Sequence, residues 1–454
     1  MTSTSLRALI WRSRIAEWWA NAWRWVLMAA AAAAVVYILL EQNVQNAPMT
    51  AISLSALIIA AVITRSQPLA IALVAMPGLF IVQRVGLGGG DLSVSDVALA
   101  AAFGCALLLG ERPYSLPLRR MLWLNLLFQF TTLFTVIVNP FPANTVEWFH
   151  AWLLVSGALV VGWALGAGGQ ARLALNLIVA TGGVLAVVTL VHGILQYARG
   201  DFAAVYLTWP FEMHKNFVGT VLAFVAVIVY INPDWFGWPK RSAAVVFWLV
   251  IAAVLMTQSR QALIGLVIAV LVAVFRRRAT GRSRFMLLLT IPAAILVVTM
   301  VADQIASQNQ YNSVFQRLNW FREVYHLWRE SPVFGHGLRY WYNDTTLFQP
   351  PQAELEVLVT AGVVGLIGFF VMWLGMVVVL WRVDPRFGTL AVAVLLSRLT
   401  QGQFDLFWTA VQVSIPFVIA GVCLGALARE ERGDAASFRI DTRASTERLG
   451  LRST

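Results

Sequence analysis

The sequence predicts an all-α polytopic membrane protein of about 12–14 transmembrane helices with one long exterior loop. Three observations carry this expectation. Charged residues make up only 12% of the chain, about half the density of an ordinary soluble domain, which is too few to solvate a globular surface. Apolar runs of spanning length recur from one end to the other. The basic residues, finally, are divided unevenly between the connections, as they are around a cytoplasmic side.

Residues 1–24 are basic and Trp-rich (Arg7, Arg12, Arg14, Trp18, Trp19, Trp23, Arg24), which predicts a cytoplasmic amphipathic segment lying on the membrane surface. No signal-peptide cleavage pattern precedes the first apolar run. Transmembrane helices are expected over 25–302, with spans near 25–40, 49–64, 68–83, 94–110, 121–138, 148–166, 173–195, 217–232, 243–257, 262–275 and 286–302. A long exterior loop with short helices follows at 303–354. Further spans near 355–381, 388–402 and 407–428 complete the membrane part. The last stretch, 429–454, is polar and without apolar periodicity, and is expected to be a disordered cytoplasmic tail. With the N-terminus inside, 24 of the 33 Lys and Arg fall on the cytoplasmic side, so both termini are expected there, in an inner membrane.

The +11 net charge is accounted for by those cytoplasmic loops, so no nucleic-acid partner is implied. Cys105 and Cys423 both lie in apolar runs and indicate neither a disulfide framework nor a metal site. Asp91 and Asp96 form no Asp-x-Asp pair, and neither a His-Glu-x-x-His motif nor a Cys/His cluster occurs. No metal is predicted.

Most exterior loops are short, which makes 303–354 the place to look for chemistry. Gln316–Glu330 reads as a helix, with Leu318, Phe321, Val324, Tyr325 and Trp328 on one face and Arg322, His326 and Arg329 on the other. Ser331-Pro332 ends it, and Phe334-Gly335-His336-Gly337 predicts a tight, backbone-exposing turn. Spacing alone also allows an amphipathic helix on the headgroups with snorkelling arginines. Two other exterior groups favour a site. Glu212-Met213-His214-Lys215-Asn216 enters one span, and Thr257-Gln258-Ser259-Arg260-Gln261 forms a very short turn between two apolar helices. An arginine at membrane depth is costly without a partner or anionic ligand, and guanidinium groups match phosphate oxygens bidentately. Arginines converging there would suit a lipid-linked diphosphate. His192 is read as a helix–helix hydrogen-bonding residue, and Arg398 and Asp405 as stabilising each other.

From about residue 210 to 410 the sequence resembles the O-antigen ligase/polymerase superfamily of membrane glycosyltransferases. The resemblance rests on Met213-His214-Lys215-Asn216-Phe217, Thr257-Gln258-Ser259-Arg260, the spacing from Arg317 through Phe321-Arg322 and Pro332 to Gly335 and Gly337, Leu355-Glu356-Val357-Leu358 followed by Gly362 and Gly365, and Gln403-Phe404-Asp405. Leu92-Ser93-Val94-Ser95-Asp96 is a weaker echo. The resemblance implies a GT-C-like helical fold and transfer of a glycan from a polyprenyl diphosphate donor to a glycan or lipid-glycan acceptor at the outer face, with no metal or cofactor. It implies that Arg260, Arg317, Arg322 and Arg339 hold the diphosphate, and that His214, Lys215 and Gln352 contact substrate. Where many members carry a His-Asn pair with the proposed base, this chain has Pro351-Gln352. His336, Glu354, Glu356 and Asp344 are the substitutes, with His336 and Glu354 favoured as catalytic; electrostatic stabilisation of the leaving group with little base help is the other possibility.

Three competing functions stay open. A transporter or lipid flippase would need ionisable residues near the midplane, and few predicted spans carry one. A peptidoglycan-type polymerase shares the exterior-face design. A membrane scaffold without enzymatic activity has the least support.

Overall fold

The computed structural model describes residues 68–87, 90–209, 212–276, 299, 313–342, 349–406, 408 and 410–448. The basic segment 1–24, the expected spans near 25–40, 49–64 and 286–302, the start of the long loop, and Asp344 lie outside the described residues. By internal contacts the chain divides into Met1–Val74 and Ala75–Thr454. Only 68–74 of the first unit are described; the helical bundle and the candidate site belong to the second.

Six described helices are long and apolar enough to cross a membrane, and two shorter ones are apolar, so the protein is a helical polytopic membrane protein. In chain order the helices are α1 (Ala70–Gly78), α2 (Val94–Leu109), α3 (Leu116–Val138), α4 (Pro142–Trp152), α5 (Ala158–Ala167), α6 (Ala171–Ala198), α7 (Lys215–Ile231), α8 (Lys240–Thr257), α9 (Arg260–Arg276), α10 (Ser313–Glu330), α11 (Ala353–Arg382), α12 (Pro385–Gln401) and α13 (Ala410–Arg448). A π turn at Leu153–Gly157 joins α4 to α5 as one span.

Two sequence expectations need correction. The span near 68–83 is instead the nine-residue α1, which carries Pro77, followed by an antiparallel hairpin of β1 (Arg84–Leu87) and β2 (Gly90–Ser93) in register Arg84↔Ser93. Proline inside a helix removes a backbone hydrogen bond, and the glycines of 86–90 favour a turn over continued helix. The expected unstructured tail from Arg429 is helical as far as Arg448. Its Ala-, Glu- and Arg-rich composition favours helix by intrinsic propensity even without an apolar face.

Polar contacts gather at two ends of the bundle. At one end Arg276 donates to the carbonyls of Leu380, Trp381 and Val383, Trp235 donates to Arg386 O, and Arg386 pairs with Glu430. Arg432 joins Glu111 at that end and donates to Ala167 O. The opposite end gathers Asn139, Asn144, Gln258, Gly335–Tyr342 and Gly402–Leu406.

The tightest helix pair is α5 against α13. Gly162 and Gly166 on one, and Gly421 and Gly425 on the other, leave no room for a Cβ: one built on Gly162 would lie 2.0 Å from Val418 O, and one on Gly421 2.3 Å from Leu159 O. Small residues four apart on both helices let the backbones touch, which is how helices associate where no water drives them together.

The loop docks through glycine in the same way. Within α11, Gly362 takes φ +64°, breaking the helix and freeing backbone groups around it. The turn at 331–337 satisfies them: His336 and Gly337 donate to Val359 O and Thr360 O, while Val363 and Val364 donate to Pro332 O and Val333 O. Gly335 and Gly337 also have positive φ, and a Cβ on Gly335 would lie 2.4 Å from the Thr360 carbonyl. The predicted backbone-exposing turn is therefore a docking surface. Gly335→Ala should cost about 2–5 kcal/mol, from the left-handed conformation and the clash together. A lowered melting temperature in detergent and faster proteolysis after Glu330 would check it.

Candidate active site

A cleft opens at the loop-bearing end between α3, α4, the first turns of α11 and the 338–342 segment. Phe128, Thr132, Glu147, Leu338, Tyr342, Glu356, Thr360 and Trp408 are among its lining residues. Three aromatic rings and two carboxylates thus share a narrow, largely apolar cleft. Trp408 stacks on Phe128 with centroids 5.6 Å apart.

Each carboxylate has a distinct setting. Glu147 pairs with Arg339 (2.9 Å) and lies 3.3 Å from His150 Nδ1; His150 Nε2 in turn lies 3.0 Å from Asp96. Asp96 is fixed by a capping box with Ser93 at the start of α2. Arg339 also stacks over Tyr342 at 4.2 Å, and its backbone N–H donates to Asn144 Oδ1 (2.9 Å). Glu356 accepts a hydrogen bond from Gln349 Nε2 (3.0 Å). Burial, and then the charges of Glu356 and Glu147, push the Tyr342 phenol above its ordinary value, so it stays protonated at any physiological pH.

Beside the cleft lies a second polar group. Arg398, fully buried on α12, donates to Leu406 O (3.0 Å) and feels the charges of both Asp405 and Glu356. Asp405 accepts from Gln261 Nε2 (2.6 Å), which also reaches Thr220. Arg260, the first residue of α9, is close enough to Lys215 at the start of α7 to act on it electrostatically. His214 caps α7, its Nδ1 accepting the Asn216 N–H. Burial holds His214 below its ordinary pKa; Asp405 opposes this and Lys215 adds to it. Arg398 thus feels Glu356, which lines the cleft, and Asp405, which also acts on His214.

The sequence-predicted residues separate accordingly. Lys215, His214 and Arg260 come together. Arg339 does not line the cleft; it pairs with Glu147, which does. Arg322 is exposed on α10 and does not line the cleft, and Arg317 lies on α10 with its side chain outside the described residues. His336 Nε2 bonds Leu327 O (2.7 Å) and its ring lies against Tyr340. Glu354 accepts from Gln403 Nε2 (2.5 Å). Neither of those two lines the cleft, whereas Glu356 does. Gln352 is the N-cap of α11. His192 is not hydrogen-bonded through Nδ1.

Sequence reasoning missed Glu147, His150, Tyr342 and Trp408. One signal was available. Glu147 and His150 stand at i, i+3 at the start of a span, and ionisable residues entering a membrane helix merit a functional reading.

A family model described as O-antigen ligase matches residues 245–370, from α8 to the middle of α11, and includes Arg260, Arg339 and Glu356. No curated protein matches the chain. The matched stretch is well under half of the sequence and leaves out Glu147, His150, Lys215 and Asp405. Over these residues the chain is similar to the O-antigen ligases, which supports a membrane-associated, glycan-handling role of ligase type.

Proposed function

We propose that the protein is a glycosyltransferase that moves a glycan from a polyprenyl diphosphate carrier to an acceptor glycan at the outer face of the cytoplasmic membrane. The observation that carries this reading is Glu356 in an aromatic cleft, with buried Arg398 under the charges of both Glu356 and Asp405, and Asp405 acting in turn on His214 beside Lys215. An acceptor hydroxyl oxygen attacks the anomeric carbon of the donor sugar while the bond from that carbon to the diphosphate oxygen breaks. Glu356 takes the hydroxyl proton as general base. Lys215 and Arg260 hold the negative charge that develops on the departing polyprenyl diphosphate. Glu356 thereby fills the role left open by Pro351-Gln352.

Farnesyl diphosphate, a short-chain donor surrogate, should bind the purified protein in detergent. Arg260→Ala should weaken that binding roughly 10- to 100-fold, the loss of one charge-assisted contact, and Lys215→Ala with it further. Unchanged binding in the double variant would remove the diphosphate site from this position.

A second reading, translocation of the lipid-linked glycan, is favoured by one observation. Asn125, Gln129, Thr132 and Thr135 form a buried polar stripe along α3, extending from the cleft into the membrane region. Movement of the lipid across liposomes without release of diphosphate would favour it.

A further inference from the structure

We propose that His150 is a positioning residue for this reaction, the hub of a polar relay that runs from Asp96 to the general base Glu356; the proposal rests on the glycosyl-transfer reading. The two ring nitrogens of His150 face two different carboxylates, Asp96 Oδ1 at 3.0 Å and Glu147 Oε1 at 3.3 Å. An ionised carboxylate only accepts hydrogen bonds, so this geometry suits the doubly protonated ring, which donates from both nitrogens. His150 is therefore occupied on both sides and is no base. It holds Glu147, whose other oxygen receives Arg339 at 2.9 Å.

Arg339 passes the constraint on in two ways. Its guanidinium lies 4.2 Å from the centre of the Tyr342 ring. Its backbone N–H is held by Asn144, which lies one turn before Glu147 on α4. Tyr342 lines the same cleft as Glu356, and Gln349 donates to Glu356 at 3.0 Å. Two cations and two carboxylates balance within the first part of this chain, so each charge is partnered in a partly buried place where an unpartnered one would be costly. The consequence is that Arg339 serves the site by pinning the 338–342 segment to α4, and the diphosphate falls to Lys215 and Arg260.

The test is made on full-length protein in nanodiscs with His150→Ala and, as a milder change in the same relay, Asp96→Asn. Hydrogen exchange of the Arg339 amide is measured first, without substrate. It should quicken in both variants and return toward the wild-type rate in His150→Arg, which keeps a two-sided cation. Turnover is then measured with lipid extract from a deletion strain as donor. The kcat should fall, on the order of 100-fold for His150→Ala, with the donor KM and farnesyl diphosphate binding unchanged. Unchanged exchange at Arg339 would overturn the relay. Quickened exchange with normal kcat, or a loss carried by donor KM, would overturn the positioning role. Because exchange is read without substrate, failure of the transfer reading itself would appear separately, as no transferred glycan from the wild-type protein.

Discussion

Glu356→Gln is expected to abolish glycan transfer, by roughly 10²- to 10⁴-fold, the usual contribution of a positioned general base. Glutamine keeps the length of the side chain and an oxygen for the Gln349 hydrogen bond, but its amide cannot take the acceptor's proton. The rim that holds the diphosphate is separate, so farnesyl diphosphate should bind Glu356→Gln as it binds the wild type. Glu147→Gln is the informative companion. It keeps the base and loosens Arg339, so its loss should be partial and accompanied by faster exchange of the 338–342 segment. Measuring transfer and binding side by side distinguishes a lost base from a collapsed cleft.

Arg398→Met should give the largest loss of stability. The side chain is fully buried and placed against Asp405 and Glu356. Removing a fully buried cation whose charge is offset by Asp405 and Glu356 costs about 3–5 kcal/mol, as for a broken buried pair. Expression and melting temperature in detergent should both fall. Arg398→Lys should recover only part, because a lysine keeps the charge without the fork that reaches Leu406 O. The triple variant Arg398→Met, Asp405→Asn, Glu356→Gln should regain most of the lost stability and remain inactive. Stability and activity would then be shown to draw on the same arginine for different reasons.

The legible parts of this molecule were those encoded locally. Apolar runs located the helices from α2 to α9, α11 and α12 to within several residues, and the start but not the end of α13. The i, i+3, i+4 pattern located α10, and the glycines around His336 marked a turn that needs positive φ. What composition could not convey was the packing of backbone on backbone. Gly362 reads as one more small residue in an apolar span, and only its neighbours at 331–337 show that the helix breaks there. The same limit governed the site. Lys215 and Arg260 were visible because each interrupts the approach to an apolar helix. Asp96, His150 and Arg339 are separated by 54 and 189 residues, and nothing in their spacing says that Glu147 will join them. Arg339 was visible as a cation but not as one already neutralised. Trp408 and Tyr342 carried no signal in the sequence, and only the fold sets them around two carboxylates. The resemblance around residue 352 marked where a base was missing; the turn of α11 that carries Glu356 into the cleft offers one.

The most direct test of glycosyl transfer is release of the carrier. Lipid-linked glycan extracted from a deletion strain is incorporated into proteoliposomes with the purified wild-type protein and an acceptor-bearing membrane extract. Free polyprenyl diphosphate and transferred glycan are then measured together. Transfer with Glu356 as base predicts that they appear in equal amounts with the wild type and not with Glu356→Gln. Lipid-linked glycan that crosses the bilayer intact, with no diphosphate released and no difference between the two proteins, would contradict it.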